Sequence, residues 1–176
     1  KSRFGARDSN ESTLCKLKNG HIIAATRTHS DHHVKLCELS KFGERWSERG
    51  QLTLPMQHPA DLTVLSDKCV LLTYGIRNRG MMGIGARISV DSGKTWKAPW
   101  VIHQFGDLAK DIGYPSTVLL DKGGSLLTAF YTDFEPTIKK HPDGYRVLAK
   151  YWSLQDWLQP KIKLAISDGK HLSFNL

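Results

Sequence analysis

The chain has 176 residues, 40% of them hydrophobic, which is long enough for one domain with its own core. Its formal charge of +8 favours acidic partners, but it contains no run of five basic residues, so nucleic-acid binding is not expected. No apolar run approaches the ~20 residues of a membrane span, and the three cysteines, which have no CxxC spacing, indicate buried free thiols.

The first predicted unit, residues 11–54, has apolar segments on both sides of an Asn-Gly pair at positions 19 and 20. Asn-Gly between strand-like runs is a strong hairpin signal. A third apolar segment, residues 34–40, leads towards Gly43 and Trp46. We therefore expect four short antiparallel strands here.

The second predicted unit, residues 59–103, repeats this pattern about fifty residues later. Arg27 and Arg77 are 50 residues apart, and so are Trp46 and Trp96. Self-similarity at a fixed period of this length is typical of repeat architectures, including propellers.

The second unit contains the sequence SVDSGKTW, whose spacing predicts a tight turn held by Ser89, Asp91, Gly93, Thr95 and Trp96. An Asp at the head of a turn can accept hydrogen bonds from backbone amides further on. Gly93 provides a position for positive φ, and Trp96 provides a large apolar ring for packing. These five residues are therefore assigned structural roles.

The third predicted unit, residues 114–158, has its hairpin signal in an Asp-Lys-Gly-Gly turn that begins at Asp121. Trp157 follows Trp96 by 61 residues, and the polar loop at 132–144 accounts for the excess. No segment between the units has a helical period. Four short strands in about fifty residues are typical of a propeller blade.

The predicted fold is therefore all-β: a single β-propeller region over residues 1–176, with four-stranded antiparallel blades at about 11–54, 59–103 and 114–158. Residues 1–10 and 159–176 are assigned to strands of adjoining blades. Propellers close with about 4–8 blades, so three blades cannot form a ring. We expect either the remainder of a six-bladed propeller or a homo-oligomer to cover the open blade edges.

Alignment of the three units places Glu11, Pro59 and Tyr114 at the entry to each innermost strand, and Arg27 and Arg77 just beyond the second strand. We expect Glu11, Arg27, Arg77 and Tyr114 to meet on one rim. Two guanidiniums suit a carboxylate ligand. A phenol with an unperturbed pKa near 10 needs a carboxylate to take its proton before it can act as a nucleophile.

The SVDSGKTW turn resembles the Asp box of BNR-repeat propellers, and the order of Glu11, Arg27, Arg77 and the Gly-Tyr-Pro-Ser segment at Tyr114 resembles the C-terminal half of the sialidase (neuraminidase) catalytic domain. The resemblance implies a retaining exo-α-sialidase without metal or cofactor, acting on a terminal acidic sugar or glycoconjugate. Tyr114 would be the nucleophile, Glu11 its base, and Arg27 and Arg77 the carboxylate ligands. It also implies a secreted or periplasmic location.

The sequence has no counterpart of the family's first Arg or of its acid/base Asp. Asp8, Asp111 and Asp133 flank the predicted rim and are candidate proton donors. Two alternatives stay open: a non-catalytic propeller that binds acidic glycans or protein partners, and a truncated fragment that self-associates. Residues 29–33 hold three histidines and an Asp, but adjacent side chains on an extended chain point to opposite faces, which favours a polar loop over a metal site.

Overall fold

The computed structural model describes residues 8–40, 45–134, 144–158, 161–165 and 171–175. Their secondary structure is almost entirely strand. The elements are β1 (Ser9–Lys16), β2 (Ile22–Thr28), β3 (Val34–Leu39), β4 (Trp46–Gln51), β5 (Gln57–Val64), β6 (Val70–Ile76), β7 (Met82–Ser89), β8 (Trp100–Gly106), β9 (Ile112–Leu119), β10 (Ser125–Thr132), β11 (Arg146–Ser153), α1 (Leu154–Leu158), β12 (Lys161–Ala165) and β13 (His171–Asn175).

The strands form successive antiparallel sheets, which we call blades 1 to 3. Blade 1 has the order β1-β2-β3-β4, blade 2 has β5-β6-β7-β8, and blade 3 has β9-β10-β11. The innermost strands contact one another in sequence, β1 with β5 and β5 with β9. This arrangement confirms the prediction of an all-β fold built from propeller-type blades. β12 and β13 form a separate two-stranded sheet.

Blade 3 differs from the predicted four strands, because α1 follows β11 where a fourth strand was expected. The Ser153 hydroxyl accepts a hydrogen bond from the Gln155 amide at 3.1 Å, as an N-terminal cap does. The Trp157 ring lies 6.3 Å from the Trp100 ring of blade 2. Packing against blade 2 therefore holds this segment as a single helical turn.

The core lies between the blades. One cluster of buried side chains joins blades 1 and 2, and a second joins blades 2 and 3. Every residue of β6 is buried, because blade 2 is covered on both faces. β9 and β10 instead alternate between buried and more exposed residues, since one face of blade 3 packs on blade 2 and the other does not.

Each inner hairpin contains one extra residue in its innermost strand. The irregularities lie between Ser9 and Ser12 in β1, between Gln57 and Ala60 in β5, and opposite the Ala129–Tyr131 segment in β9. Such bulges re-aim side chains at the end of a strand. The same feature therefore occurs at the same end of all three blades.

This shared bulge corrects the predicted alignment of the units. It places Pro115, and not Tyr114, level with Glu11 and Pro59. Tyr114 is level with His58 of blade 2.

The two arginines are also not equivalent by register: Arg27 is level with Gly75, and Arg77 lies two positions beyond Gly75. The reason is a longer connection in blade 2. Six residues separate Arg27 from its partner Val34, whereas eight separate Gly75 from its partner Ile84. Equivalent residues of blades 1 and 2 are therefore 50 positions apart from the third strand onward, but not in the first two strands.

Three level positions on the inner strands, Thr13, Asp61 and Thr117, are joined by hydrogen bonds. Asp61 Oδ1 accepts from the Thr13 hydroxyl at 3.3 Å, and Asp61 Oδ2 accepts from the Thr117 amide at 3.1 Å. The Thr117 hydroxyl continues the network to Thr128 at 2.9 Å. One carboxylate thus connects the innermost strands of all three blades.

The turn between β7 and β8 has the predicted hydrogen bonds. Asp91 Oδ1 accepts from the Thr95 amide at 2.8 Å, and the Ser89 hydroxyl accepts from the Gly93 amide at 2.8 Å. Gly93 has a φ of 84°, and the Trp96 ring packs on the core between blades 1 and 2. Hydrogen bonds from Thr95 lower the pKa of Asp91 to about 2. In blade 1, Trp46 begins β4, and Gly43 lies outside the described residues.

The three cysteines are free thiols, with Cys15 and Cys37 buried and Cys69 partly buried. Burial raises the pKa of each thiol, that of Cys15 to about 11. The thiolate is therefore disfavoured, which removes these residues as candidate nucleophiles. In the part of the chain that the structure describes, no helix has the length and apolar character needed to cross a membrane.

Candidate functional site

Glu11 and Tyr114 meet at the end of the blades where the bulges lie, although 103 residues separate them in the chain. The Tyr114 hydroxyl donates a hydrogen bond to Glu11 Oε1. Arg27 Nη1 donates to Glu11 Oε2 at 2.7 Å. The predicted nucleophile, its base and one guanidinium therefore form a single connected group that spans blades 1 and 3.

Tyr114 is positioned by the bulge in β9. Its φ is 47°, in the left-handed region that a non-glycine residue rarely occupies. The neighbouring Pro115 is buried, whereas the Tyr114 side chain is 53% exposed. The bulge thus turns an aromatic residue out of the sheet and towards Glu11. An uncommon backbone conformation of this kind is often found at functional sites.

The protonation states of this pair suit a phenol and its base. Burial raises the pKa of Glu11, but hydrogen bonds from Arg27 and Tyr114 lower it more, so its net pKa is below the ordinary value. The hydrogen bond to Glu11 raises the pKa of Tyr114. In the resting site the phenol therefore carries the proton, and Glu11 is an ionised acceptor in direct contact with it.

Arg77 belongs to the same rim but contacts a different carboxylate. Its Nε donates to the Ile112 carbonyl and its Nη2 donates to Asp111 Oδ1, both at 2.8 Å. Nη2 also donates to the Tyr131 hydroxyl. Each arginine of the predicted pair thus faces its own acidic partner, Glu11 for Arg27 and Asp111 for Arg77. The formal charges of these four side chains cancel.

The three candidate proton donors have other roles in the structure. Hydrogen bonding to Ser30 lowers the pKa of Asp8, so this carboxyl is ionised. Asp111 forms the ion pair with Arg77 at 2.8 Å. Asp133 accepts hydrogen bonds from the amides of Lys110 and Asp111, at 2.9 and 3.1 Å. Each of the three is thus bound to a neighbouring backbone or side-chain group.

His58 is a site residue that the sequence analysis missed. It is only 1% exposed, and its Nδ1 has no hydrogen-bond partner within the described residues. Its ring lies 5.3 Å from that of His32, which contacts Arg27 Nη2. Burial, together with the charges of Arg27 and Arg77, lowers the pKa of His58 to about 4. A neutral imidazole thus lies beside both guanidiniums.

The low pKa of His58 predicts a pH-dependent stability. Between about pH 6.5 and pH 4 the unfolded chain protonates this side chain and the folded chain does not, so the free energy of unfolding falls as the pH falls. The loss from this group reaches up to about 3 kcal/mol at pH 4. Urea unfolding at pH 7, 5.5 and 4 should show a flatter pH dependence for His58→Gln than for wild type. The exposed His29→Gln is the control, and equal slopes for all three proteins would contradict the prediction.

The histidine-rich segment at 29–33 has local partners. His33 Nδ1 contacts Asp31 Oδ1, and the Thr28 hydroxyl donates to the same carboxylate at 2.9 Å. His32 instead packs beside His58. Within the described ranges, no group of three or more His, Cys, Asp or Glu side chains is arranged to hold a metal ion.

A cavity of about 380 Å³ lies at the opposite ends of the strands, between blade 1 and the β7–β8 turn. Glu38 lines it and contacts His21 Nδ1 at 2.8 Å and an Arg49 nitrogen at 2.6 Å. Glu38, His21 and Arg49 are thus paired with one another, and none of the rim residues lines the cavity. We therefore place the candidate site at the rim.

The comparisons with known proteins concern the fold. No family model and no curated protein matches the sequence. Among solved structures, an α-L-arabinofuranosidase of Fusarium graminearum bound to arabinobiose is similar with a TM-score of 0.65 and 12% identity, over 83% of this chain and 45% of that one. An α-L-arabinanase of Penicillium chrysogenum bound to arabinobiose matches with a TM-score of 0.59 and 17% identity, over 71% and 41%. A Dyadobacter fermentans protein of unknown function matches with a TM-score of 0.63 and 23% identity, over 84% of this chain and 39% of that one.

The fold is that of a β-propeller, as in these solved structures. The chain spans less than half the length of these structures. In this β-propeller the rim formed by Glu11, Arg27, His58, Arg77 and Tyr114 lies where the first strands of consecutive blades begin. The likeness does not by itself assign a substrate or a reaction to these residues.

Proposed function

We propose that this β-propeller is a retaining glycoside hydrolase in which Tyr114 is the nucleophile and Glu11 is its base. The observation that carries the proposal is the hydrogen bond from the Tyr114 hydroxyl to Glu11, made across two blades on an open rim. A phenol in direct contact with an ionised carboxylate has an acceptor for its proton at the moment of attack.

The proposed reaction has two displacements. In the first, the Tyr114 oxygen attacks the anomeric carbon while Glu11 takes the phenol proton, and the bond from that carbon to the leaving oxygen breaks. In the second, water attacks the anomeric carbon and loses one proton to the solvent, the bond to Tyr114 breaks, and Glu11 returns its proton to the Tyr114 oxygen. Two inversions give net retention. The natural leaving group also needs a proton, which an activated aryl group does not.

The substrate class that we propose is a terminal acidic sugar of the sialic acid type. A neutral phenol approaches a carbon beside a carboxylate without the repulsion that an Asp or Glu nucleophile would meet. Arg27 and Arg77 supply positive charge on the same rim. The Nη1 of Arg77 has no hydrogen-bond partner among the described residues, so it is free to contact a ligand.

A second candidate substrate is a neutral sugar, and one observation favours it. Both arginines are already paired with carboxylates, Arg27 with Glu11 and Arg77 with Asp111. A site whose charges cancel has less attraction for an anion than one with two unpaired guanidiniums. Two of the similar solved structures contain arabinobiose, a neutral disaccharide.

An assay of two activated aryl glycosides separates these candidates. The purified full chain is incubated with an aryl α-sialoside and with an aryl α-L-arabinofuranoside, and aryl release is measured. Release from the sialoside alone supports the acidic substrate, and release from the arabinofuranoside alone supports the neutral one. Binding of both without release from either would contradict the hydrolase proposal and indicate a non-catalytic glycan-binding propeller.

A further inference from the structure

Three tyrosines of blade 3 form a cluster beside the proposed nucleophile, which we call the tyrosine platform: Tyr114 of β9, Tyr131 of β10 and Tyr145 directly before β11. The rings of Tyr114 and Tyr131 lie 5.8 Å apart at 32°. Those of Tyr131 and Tyr145 lie 5.3 Å apart at 79°. Cross-strand pairing explains the cluster, since Tyr131 pairs with Gly113 on one side and with Val147 on the other.

The platform offers aromatic surface to solvent. Tyr145 is 66% exposed and Tyr114 is 53% exposed, while Tyr131 is partly buried between them. The hydroxyls are held in place, that of Tyr145 by a hydrogen bond to Asp111. That of Tyr131 donates to Asp111 with oxygen–oxygen distances of 3.0 Å, and that of Tyr114 donates to Glu11. These hydrogen bonds fix the orientation of the aromatic rings before a ligand binds. The faces of the rings are the part of the platform that is left to contact a ligand.

Adjacent exposed aromatic rings with charged groups at their edge match the chemistry of a sugar ring. The carbon–hydrogen face of a sugar is apolar, and its hydroxyl groups need donors and acceptors at the periphery. Asp111 supplies acceptor oxygens beside Tyr131, and Arg77 supplies a donor. The burial that keeps the pKa of Tyr131 raised, to about 12, leaves this phenol neutral.

The platform extends from Tyr114 in the direction away from Arg27. Glu11 and Arg27 lie on the blade 1 side of Tyr114, and Tyr131 and Tyr145 lie on the blade 3 side. We propose that Tyr131 and Tyr145 bind a second sugar unit of the same glycan. This inference rests on the proposed function, in which the reacting sugar binds at Tyr114 and Glu11. The site is thus selective for oligosaccharides over monosaccharides.

The test measures binding in the Tyr114→Phe protein, in which turnover is disabled. Calorimetric titration with arabinose and arabinobiose, and with sialic acid and sialyllactose, gives the preference for the longer glycan. We expect one pair to show a preference of about tenfold in Kd. Tyr145→Ala in the same background should reduce the preference to less than about twofold, and Tyr145→Phe should keep it, because the ring surface is retained.

Tyr151→Ala is the matched control, since Tyr151 is 70% exposed on the same blade and Tyr151 is not part of the platform. A preference that survives Tyr145→Ala, the absence of any preference, or no binding of the four probes would overturn the proposal. Because no step of the test requires turnover, its outcome is separate from that of the hydrolase assay. Selective binding by a wild-type chain that releases no aryl group would refute the hydrolase and leave the platform standing.

Discussion

Replacement of Tyr114 by Phe should lower kcat for the hydrolysed aryl glycoside by at least about 10³-fold, because it removes the attacking oxygen and leaves the ring in place. Tyr114 is 53% exposed, and within the described part of the chain its hydroxyl is hydrogen-bonded to Glu11, so the fold should be retained. Substrate binding should change little, since the aromatic surface remains. Initial rates over a range of substrate concentrations separate the expected fall in kcat from an effect on KM.

Two further variants are needed to interpret the Tyr114→Phe result: a control tyrosine and the proposed base. Tyr151→Phe removes the hydroxyl of an exposed tyrosine on the same blade and should leave kcat unchanged. Glu11→Gln keeps the size of the side chain but removes its capacity to take the proton, and should lower kcat by about 10²–10⁴-fold. A Tyr114→Phe protein with wild-type kcat would remove Tyr114 from the mechanism.

Replacement of Gly75 by Ala should destabilise the chain by about 1–3 kcal/mol and lower its activity by more than the unfolded fraction accounts for. A Cβ at this position would lie 2.7 Å from the His58 carbonyl oxygen and 3.2 Å from the Gly113 Cα. Both are backbone atoms, so a side chain cannot move aside to relieve the contact. The shift that relieves it moves β5 or β9, which carry His58 and Tyr114.

Gly144→Ala is the matched control, because a Cβ there would have no neighbour within 4 Å among the described residues. Urea unfolding of the two variants and the wild type, with the slopes compared to confirm a common unfolding transition, gives the difference in stability. Equal midpoints for Gly75→Ala and Gly144→Ala would show that the backbones of β5, β6 and β9 are not as closely packed as described.

The parts of the fold that were predictable from sequence depend on local signals. The Asn-Gly pair at 19–20 and the Ser89–Trp96 segment specify their turns through residues close together in the chain, and both turns form. The third blade was only partly predictable. The five residues of α1 are too few to show a helical period, and their conformation depends on the contact of Trp157 with blade 2.

Four residues of the candidate site were predictable from the sequence, but the strand register that relates them was not. Glu11, Arg27, Arg77 and Tyr114 do lie on one rim, yet the 50-residue spacing that suggested this is not the spacing of the inner strands. The two extra residues between Gly75 and Ile84 shifted the alignment, and His58 was missed as the residue level with Tyr114. The equivalence of Tyr114 and His58 becomes visible only when the strand register is known.

Contacts between distant side chains could not be read from the sequence. Asp111 neutralises Arg77 across 34 residues, and Tyr131 reaches the same guanidinium across 54. Neither spacing belongs to a local motif. This pairing affects the chemistry of the site. The sequence predicted two arginines available to bind a carboxylate ligand, whereas in the structure each arginine is paired with an acidic side chain.

In the proposed reaction Tyr114 forms a covalent bond to the sugar, and a trapping experiment can detect that bond. The full chain is incubated with a fluorinated glycosyl fluoride of the sugar that the aryl glycoside assay identifies, digested, and analysed by mass spectrometry. We expect one glycosyl group on the peptide that contains Tyr114 and none in Tyr114→Phe. A glycosyl group on another residue, or an active chain that inverts the anomeric configuration and forms no adduct, would contradict it.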